Sequence, residues 1–161
     1  MSNIHPSAII EDSVKLGENV TVGPFCCLSG NVELGDNVVL ESHVVVAGNT
    51  KIGADTHIYP FASIGHVSQD KKFDGEEVFL EIGARNKSRE HATMSPGTNA
   101  GGGITRVGND GLFMIGSHIA HDCIIGDNVI MANNASLGGH VTLGNFAIMG
   151  GMSAAHQFCR I

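Results

Sequence analysis

The chain has 161 residues, a length that fits one domain, and its formal charge of −7 argues against a basic groove for nucleic acid. No apolar run approaches the roughly 20 residues that cross a bilayer, so no membrane span is expected. The opening Met1-Ser2-Asn3-Ile4-His5-Pro6 lacks the basic and apolar regions of a secretion signal, which predicts a cytoplasmic protein.

From Ile4 onward an apolar residue recurs every six positions: Ile4, Ile10, Leu16, Val22, Leu28, Leu34, Leu40, Val46, Ile52, Ile58 and Ile64. The rule resumes at Val107 and runs through Phe113, Ile119, Ile125, Met131, Leu137, Leu143, Met149, Ala155 and Ile161. A helix would repeat every 3.6 residues and a half-buried strand every two. A period of six, with Gly after many of the anchors (Gly17, Gly23, Gly35, Gly53, Gly65, Gly126, Gly144), predicts an all-β parallel β-helix. Three six-residue units make one triangular coil of 18 residues, with coils stacked by roughly 4.8 Å. Gly and Asn at the corners are expected to supply the positive φ of the turns. The composition agrees: 22 Gly, one Tyr and no Trp suit narrow columns of small and β-branched side chains.

Two segments break the pattern within a single domain spanning 1–161. The first lies near 66–79 and is rich in charge, from Gln69-Asp70-Lys71-Lys72 to Glu76-Glu77. The step from Ile64 to Ile82 is 18, so the register is expected to survive around a protruding loop, with Asp70 and Asp74 available to pair with Lys71 and Lys72. The second lies near 95–106 and contains Pro96-Gly97-Thr98 and Gly101-Gly102-Gly103. The step from Met94 to Val107 is 13, which reads as one inserted residue. Loops that interrupt a regular solenoid usually carry function. Ile161 falls on an anchor position, which predicts further chain or a partner over that end.

Four of the nine His fall late in the chain: His118, His121, His140 and His156. Adding 18 to 121 gives Gly139, and adding 18 to 138 gives His156, so these residues are expected to gather along one edge. Imidazole titrates near neutrality and suits a general base for a sugar hydroxyl or amine. A nearby Gly can offer a bare backbone N–H to an oxyanion. Spacing alone leaves a second chemistry open: three imidazoles, joined by Cys123, can hold Zn²⁺ with a position free for water. Asp122 touches His121 only if the backbone turns there, because neighbours in a strand point to opposite faces. Cys26, Cys27, Cys123 and Cys159 read as reduced small hydrophobes, with Cys123 and Cys159 two coils apart and too distant to bridge.

The ordered motifs His118-Ile119-Ala120-His121-Asp122-Cys123, Ala132-Asn133-Asn134-Ala135, Gly139-His140-Val141 and His156-Gln157-Phe158-Cys159 resemble the UDP-N-acetylglucosamine acyltransferases that begin lipid A synthesis. Earlier segments match as well: Phe61 to Gly65, Gln69-Asp70 with Lys72, Glu81 to Asn86, Arg89-Glu90 and Gly101 to Gly103. The related N-acyltransferase family usually reads His-Asn where this chain has His121-Asp122. The resemblance implies a left-handed β-helix, a homotrimer with sites between subunits, and transfer of an (R)-3-hydroxyacyl group from acyl carrier protein to the 3-OH of UDP-N-acetylglucosamine. The carrier-protein thioester would be a co-substrate, with no cofactor and no metal. It implies His121 as general base, Asp122 as its orienting acid and Gly139 as oxyanion donor. Gln69, Asp70, Lys72, His118, His140, His156 and Gln157 would line the substrate cleft. Family members carry further coils and a C-terminal helical domain beyond the matched part. Ser95-Pro96-Gly97-Thr98 stands where some of them have His-Arg-Gly-Thr. Two other readings share the scaffold: a zinc hydratase like the γ-class carbonic anhydrases, and a non-catalytic trimeric solenoid fragment.

Overall fold

The computed structural model describes residues 2–161. Short strands alternate with tight turns along the chain and collect into three parallel sheets. The first sheet runs from Asn3–Ile4 to Ile148–Met149, the second from Ile9–Ile10 to Ala154–Ala155, and the third from Lys15–Leu16 to Thr142–Leu143. Each strand pairs with the strand three places along, so the chain winds as a parallel β-helix, and its hand is left. The usual right-handed crossover depends on twisted strands and a packing helix. Here the strands are mostly two residues long, and the only helix among the described residues is one 3₁₀ turn, Asn99–Gly101.

The six-residue period is the core. Val22, Leu28, Leu34, Leu40, Val46, Ile52, Ile58 and Ile64 are buried, and so are Phe113 through Ala155 at the later anchors. A second inward set at the corners, including Val20, Cys26, Val32, Val38 and Val44, fills the space between them. One anchor position is polar. Ser88 follows Ile82 by six and precedes Met94 by six; it lies in the first sheet between Ile58 and Phe113. Its small side chain sits beside the largest core residue, and its hydroxyl is buried without a hydrogen-bond partner.

The corner glycines divide between two roles, one of them the role expected: Gly30, Gly48, Gly65 and Gly116 take φ between 68° and 85°. At another corner the left-handed residue is the third after the anchor: Asn19, Asn37, Asp55, Arg85, Asp110 and Asn128 all have φ between 54° and 59°. Apart from Gly65, the glycines directly after the anchors, at Gly17, Gly23, Gly35, Gly53 and Gly126, mark a close approach. A β-carbon on Gly17 would lie 2.7 Å from the carbonyl carbon of Gly35 in the next coil. Side-chain ladders run up the same corner, as Asn37 Nδ2 donates to Asp55 Oδ1 at 2.9 Å and Arg85 forms a two-pronged pair with Asp110.

Register gives the first loop its length and corrects the reading of the second. Ile52 pairs with Ile82, and Ser63 pairs with Thr93, each 30 residues on. The 18-residue step from Ile64 to Ile82 is therefore one face plus a 12-residue excursion, which a period of six cannot tell from a full coil. Ile82 pairs with Val107 and Met94 with Ile119, each 25 residues on, so the second segment adds seven residues and not one. No ion pair joins Lys71 or Lys72 to Asp70 or Asp74 among the described residues. Asp70 instead accepts the Lys72 backbone N–H at 3.0 Å, which closes a tight turn.

Candidate active site

The site grows from the corner after the strand His118–Ile119. Asp122 adopts φ 59°, and this left-handed turn brings its carboxylate round to its neighbour. His121 Nδ1 donates to Asp122 Oδ2 at 2.8 Å. The contact that strand geometry forbids is thus made by the corner. Asp122 is held from the other side by the second loop. Thr98 N–H donates to Oδ1 at 2.8 Å, and Thr98 Oγ1 donates to Oδ2 at 2.6 Å. The Asp122 backbone N–H donates to Thr105 Oγ1 at 2.8 Å. Every contact to the carboxylate is a donor, the pattern an ionised acid requires. Gly101 presses its backbone against this carboxylate, where no side chain fits. The glycine-rich segment therefore seals the buried acid.

With Nδ1 occupied by Asp122, the Nε2 lone pair of His121 is left to act. It faces a cleft of about 620 Å³. Gly139, one coil on, lies against the imidazole, and no backbone carbonyl takes the Gly139 N–H among the described residues. The charged loop closes the far side, placing Asp70 Oδ2 3.9 Å from His121 Nε2. Gln69, Asp70, Lys72, His118, His121, Gly139 and Gln157 all line this cleft, as does Lys71, which the resemblance did not place there. His118 anchors its Nδ1 on Thr93 Oγ1 at 2.7 Å. Burial, and then the electrostatic influence of neighbouring His121, push the His118 imidazole below its ordinary value.

Two expected members stand apart. His140 packs edge-on to His121 at 5.1 Å, with Nε2 3.9 Å from Asp122 Oδ2, and its ring stacks on Phe158 at 4.5 Å. It backs the dyad without lining the cleft. His156 is exposed, with its Nδ1 3.4 Å from the Gln157 carbonyl, and lies outside the lining.

The residues matched by the bacterial transferase hexapeptide model are 13–48 and 31–66. Over all 161 residues the chain is 54% identical to an acyl-[acyl-carrier-protein]–UDP-N-acetylglucosamine O-acyltransferase from Aliarcobacter butzleri, covering 62% of that protein. The chain is thus similar along its whole length to UDP-N-acetylglucosamine O-acyltransferases. A relative of the same name from Janthinobacterium is 53% identical over the same span. The crystal structure of the UDP-N-acetylglucosamine O-acyltransferase from Moraxella catarrhalis superimposes with a TM-score of 0.97 at 49% identity, covering 98% of this chain and 62% of that one. The chain thus spans about 62% of the length of these two full-span relatives.

The fold also disposes the zinc donors differently from the arrangement that the spacing left open. The atoms that converge within 4.8 Å belong to His121, Asp122 and His140, not to three imidazoles. Asp122 already accepts three hydrogen bonds, and His118 Nδ1 is taken by Thr93. Cys123 turns into the core, where burial raises its thiol to about 11. All four cysteines are free. Thr98 and Thr105 were missed by sequence reading. The one mark of Thr98 was its place in the segment that breaks the period.

Proposed function

We propose that the whole protein transfers an (R)-3-hydroxyacyl group from acyl carrier protein to the 3-OH of UDP-N-acetylglucosamine, the first step of lipid A synthesis. The single observation that carries this reading is the His121–Asp122 dyad, with Nε2 open to a cleft and the Gly139 backbone beside it. The relatives' names supply the substrates.

In this mechanism His121 Nε2 takes the proton of the sugar hydroxyl as its oxygen attacks the thioester carbonyl carbon. Asp122 holds the Nδ1–H tautomer and offsets the positive charge that forms on the ring. The carbonyl oxygen becomes an oxyanion and accepts the Gly139 N–H. Collapse re-forms the carbonyl and breaks the C–S bond, and the protonated Nε2 returns its proton to the departing sulfur. No cofactor takes part, because the thioester supplies the activated acyl group. Lys71 and Lys72 bring positive charge to an anionic nucleotide sugar, while Gln69, Asp70, His118 and Gln157 offer polar contacts. His140 supports the dyad from behind.

The functional unit is a homotrimer with the cleft completed by a neighbouring copy. Open sheet faces with Ile9 and Ile148 on the surface support that assembly. The four free cysteines suit a cytoplasmic location. The test is incubation of the full-length protein with 3-hydroxyacyl carrier protein and UDP-N-acetylglucosamine, followed by mass analysis of the nucleotide sugar. The reading requires a product heavier by one hydroxyacyl group and bearing an ester at the 3-position. Recovery of unmodified sugar across a range of acyl lengths would refute it.

A further inference from the structure

We infer that Thr98 is a positioning residue for His121, acting through Asp122 in the reaction proposed above. Thr98 stands at the start of the 3₁₀ turn Asn99–Gly101, a place where a threonine hydroxyl ordinarily caps the turn. It makes no such cap bond. Its hydroxyl is directed to Asp122 Oδ2 instead, at 2.6 Å, while its backbone N–H takes Oδ1. Thr98 is 3% exposed and does not line the cleft, so it reaches the reacting atoms only through the acid. Its own position is fixed by the glycine loop, since Gly101 N–H and Gly103 N–H both donate to the Thr98 carbonyl, at 3.0 and 2.8 Å.

The consequence lies in the sharing of one oxygen. Asp122 Oδ2 accepts from two donors, the Thr98 hydroxyl and His121 Nδ1. The hydroxyl draws off part of the acceptor strength that would otherwise favour the imidazolium. It also stops the carboxylate from rotating about its own bond, so the imidazole is held at one angle to the cleft. Without it, Oδ2 would serve His121 alone, which raises the pH at which the ring protonates and loosens its aim. The other ionisable groups facing the dyad are Asp70, His140 and His118, and a change at Thr98 touches none of them directly.

The test is a proton NMR titration of His121 in the unsubstituted protein and in Thr98→Val, Thr98→Ala and Thr98→Ser. Alongside it, the pH dependence of kcat/KM is measured for acyl transfer. Val and Ala are expected to raise the His121 midpoint and the acid limb together by about half to one pH unit. They should lower kcat about ten-fold with little change in KM, and Ser should restore both. Ala stands in for Val if the larger side chain disturbs folding. An unmoved His121 midpoint in the folded Val or Ala variant would overturn the inference, and so would a Ser variant that behaves like Ala. The titration is independent of turnover. A shifted midpoint in a protein that transfers no acyl group would therefore defeat the proposed function and leave the role of Thr98 standing.

Discussion

Gly139 lies so close to His121 that a β-carbon on it would stand 2.5 Å from the imidazole Nε2. The two residues occupy successive coils, and the His140 N–H donates to the His121 carbonyl at 3.0 Å, so their spacing is set by the solenoid ladder. A methyl group at this point must displace the ring. Gly139→Ala is expected to fold, because no left-handed φ demands glycine there, yet to lower kcat about 100-fold or more as the base leaves its position. Circular dichroism with steady-state kinetics checks both halves.

Ser88 offers a contrasting test, of stability alone. Its hydroxyl is buried with no partner, between Ile58 and Phe113, so the structure carries the cost of a desolvated polar group. Ser88→Ala removes that hydroxyl while keeping the small volume that Phe113 requires. The variant is expected to gain about 1 kcal/mol in denaturant unfolding. A loss of similar size would mean that the hydroxyl has a partner in solution.

His118 links the site to pH. Burial and the neighbouring His121 hold its folded-state value below the ordinary 6.5. The unfolded chain therefore binds a proton here before the folded chain does. Stability contributed by the neutral ring is complete above pH 6.5 and falls as the pH drops through that value toward the lower folded one. His118→Gln should lose less stability between pH 7 and pH 5 than the unsubstituted protein. Urea melts at the two pH values provide the comparison.

The six-residue period made the core and the three-sided coil legible, because most inward positions are written directly as Ile, Leu, Val, Met or Phe. Its limits are equally physical. An insertion of 12 residues is a multiple of six, so the Ile64 to Ile82 step hid the loop's true length. Ser88 vanished from the apolar pattern because its neighbour Phe113 fills the space. Most glycines after the anchors report close coil contact, while Gly65 takes φ 81°, and sequence does not separate the two needs. At the site, stacking by 18 placed Gly139 beside His121, as the register later showed. The Asp122 contact depended on one left-handed residue, and Thr98 on the path of an irregular loop, and neither leaves a periodic mark. His156 sits on the expected edge but outside the cleft, because a repeat fixes a residue's column and not the direction of its side chain.

The most direct test is the turnover of His121→Ala in the full-length protein, with 3-hydroxyacyl carrier protein and UDP-N-acetylglucosamine as substrates. The account predicts a folded protein whose kcat is lower by roughly 10²–10⁴, the contribution of a positioned general base. Turnover close to that of the unsubstituted protein would contradict it and remove His121 from the chemistry.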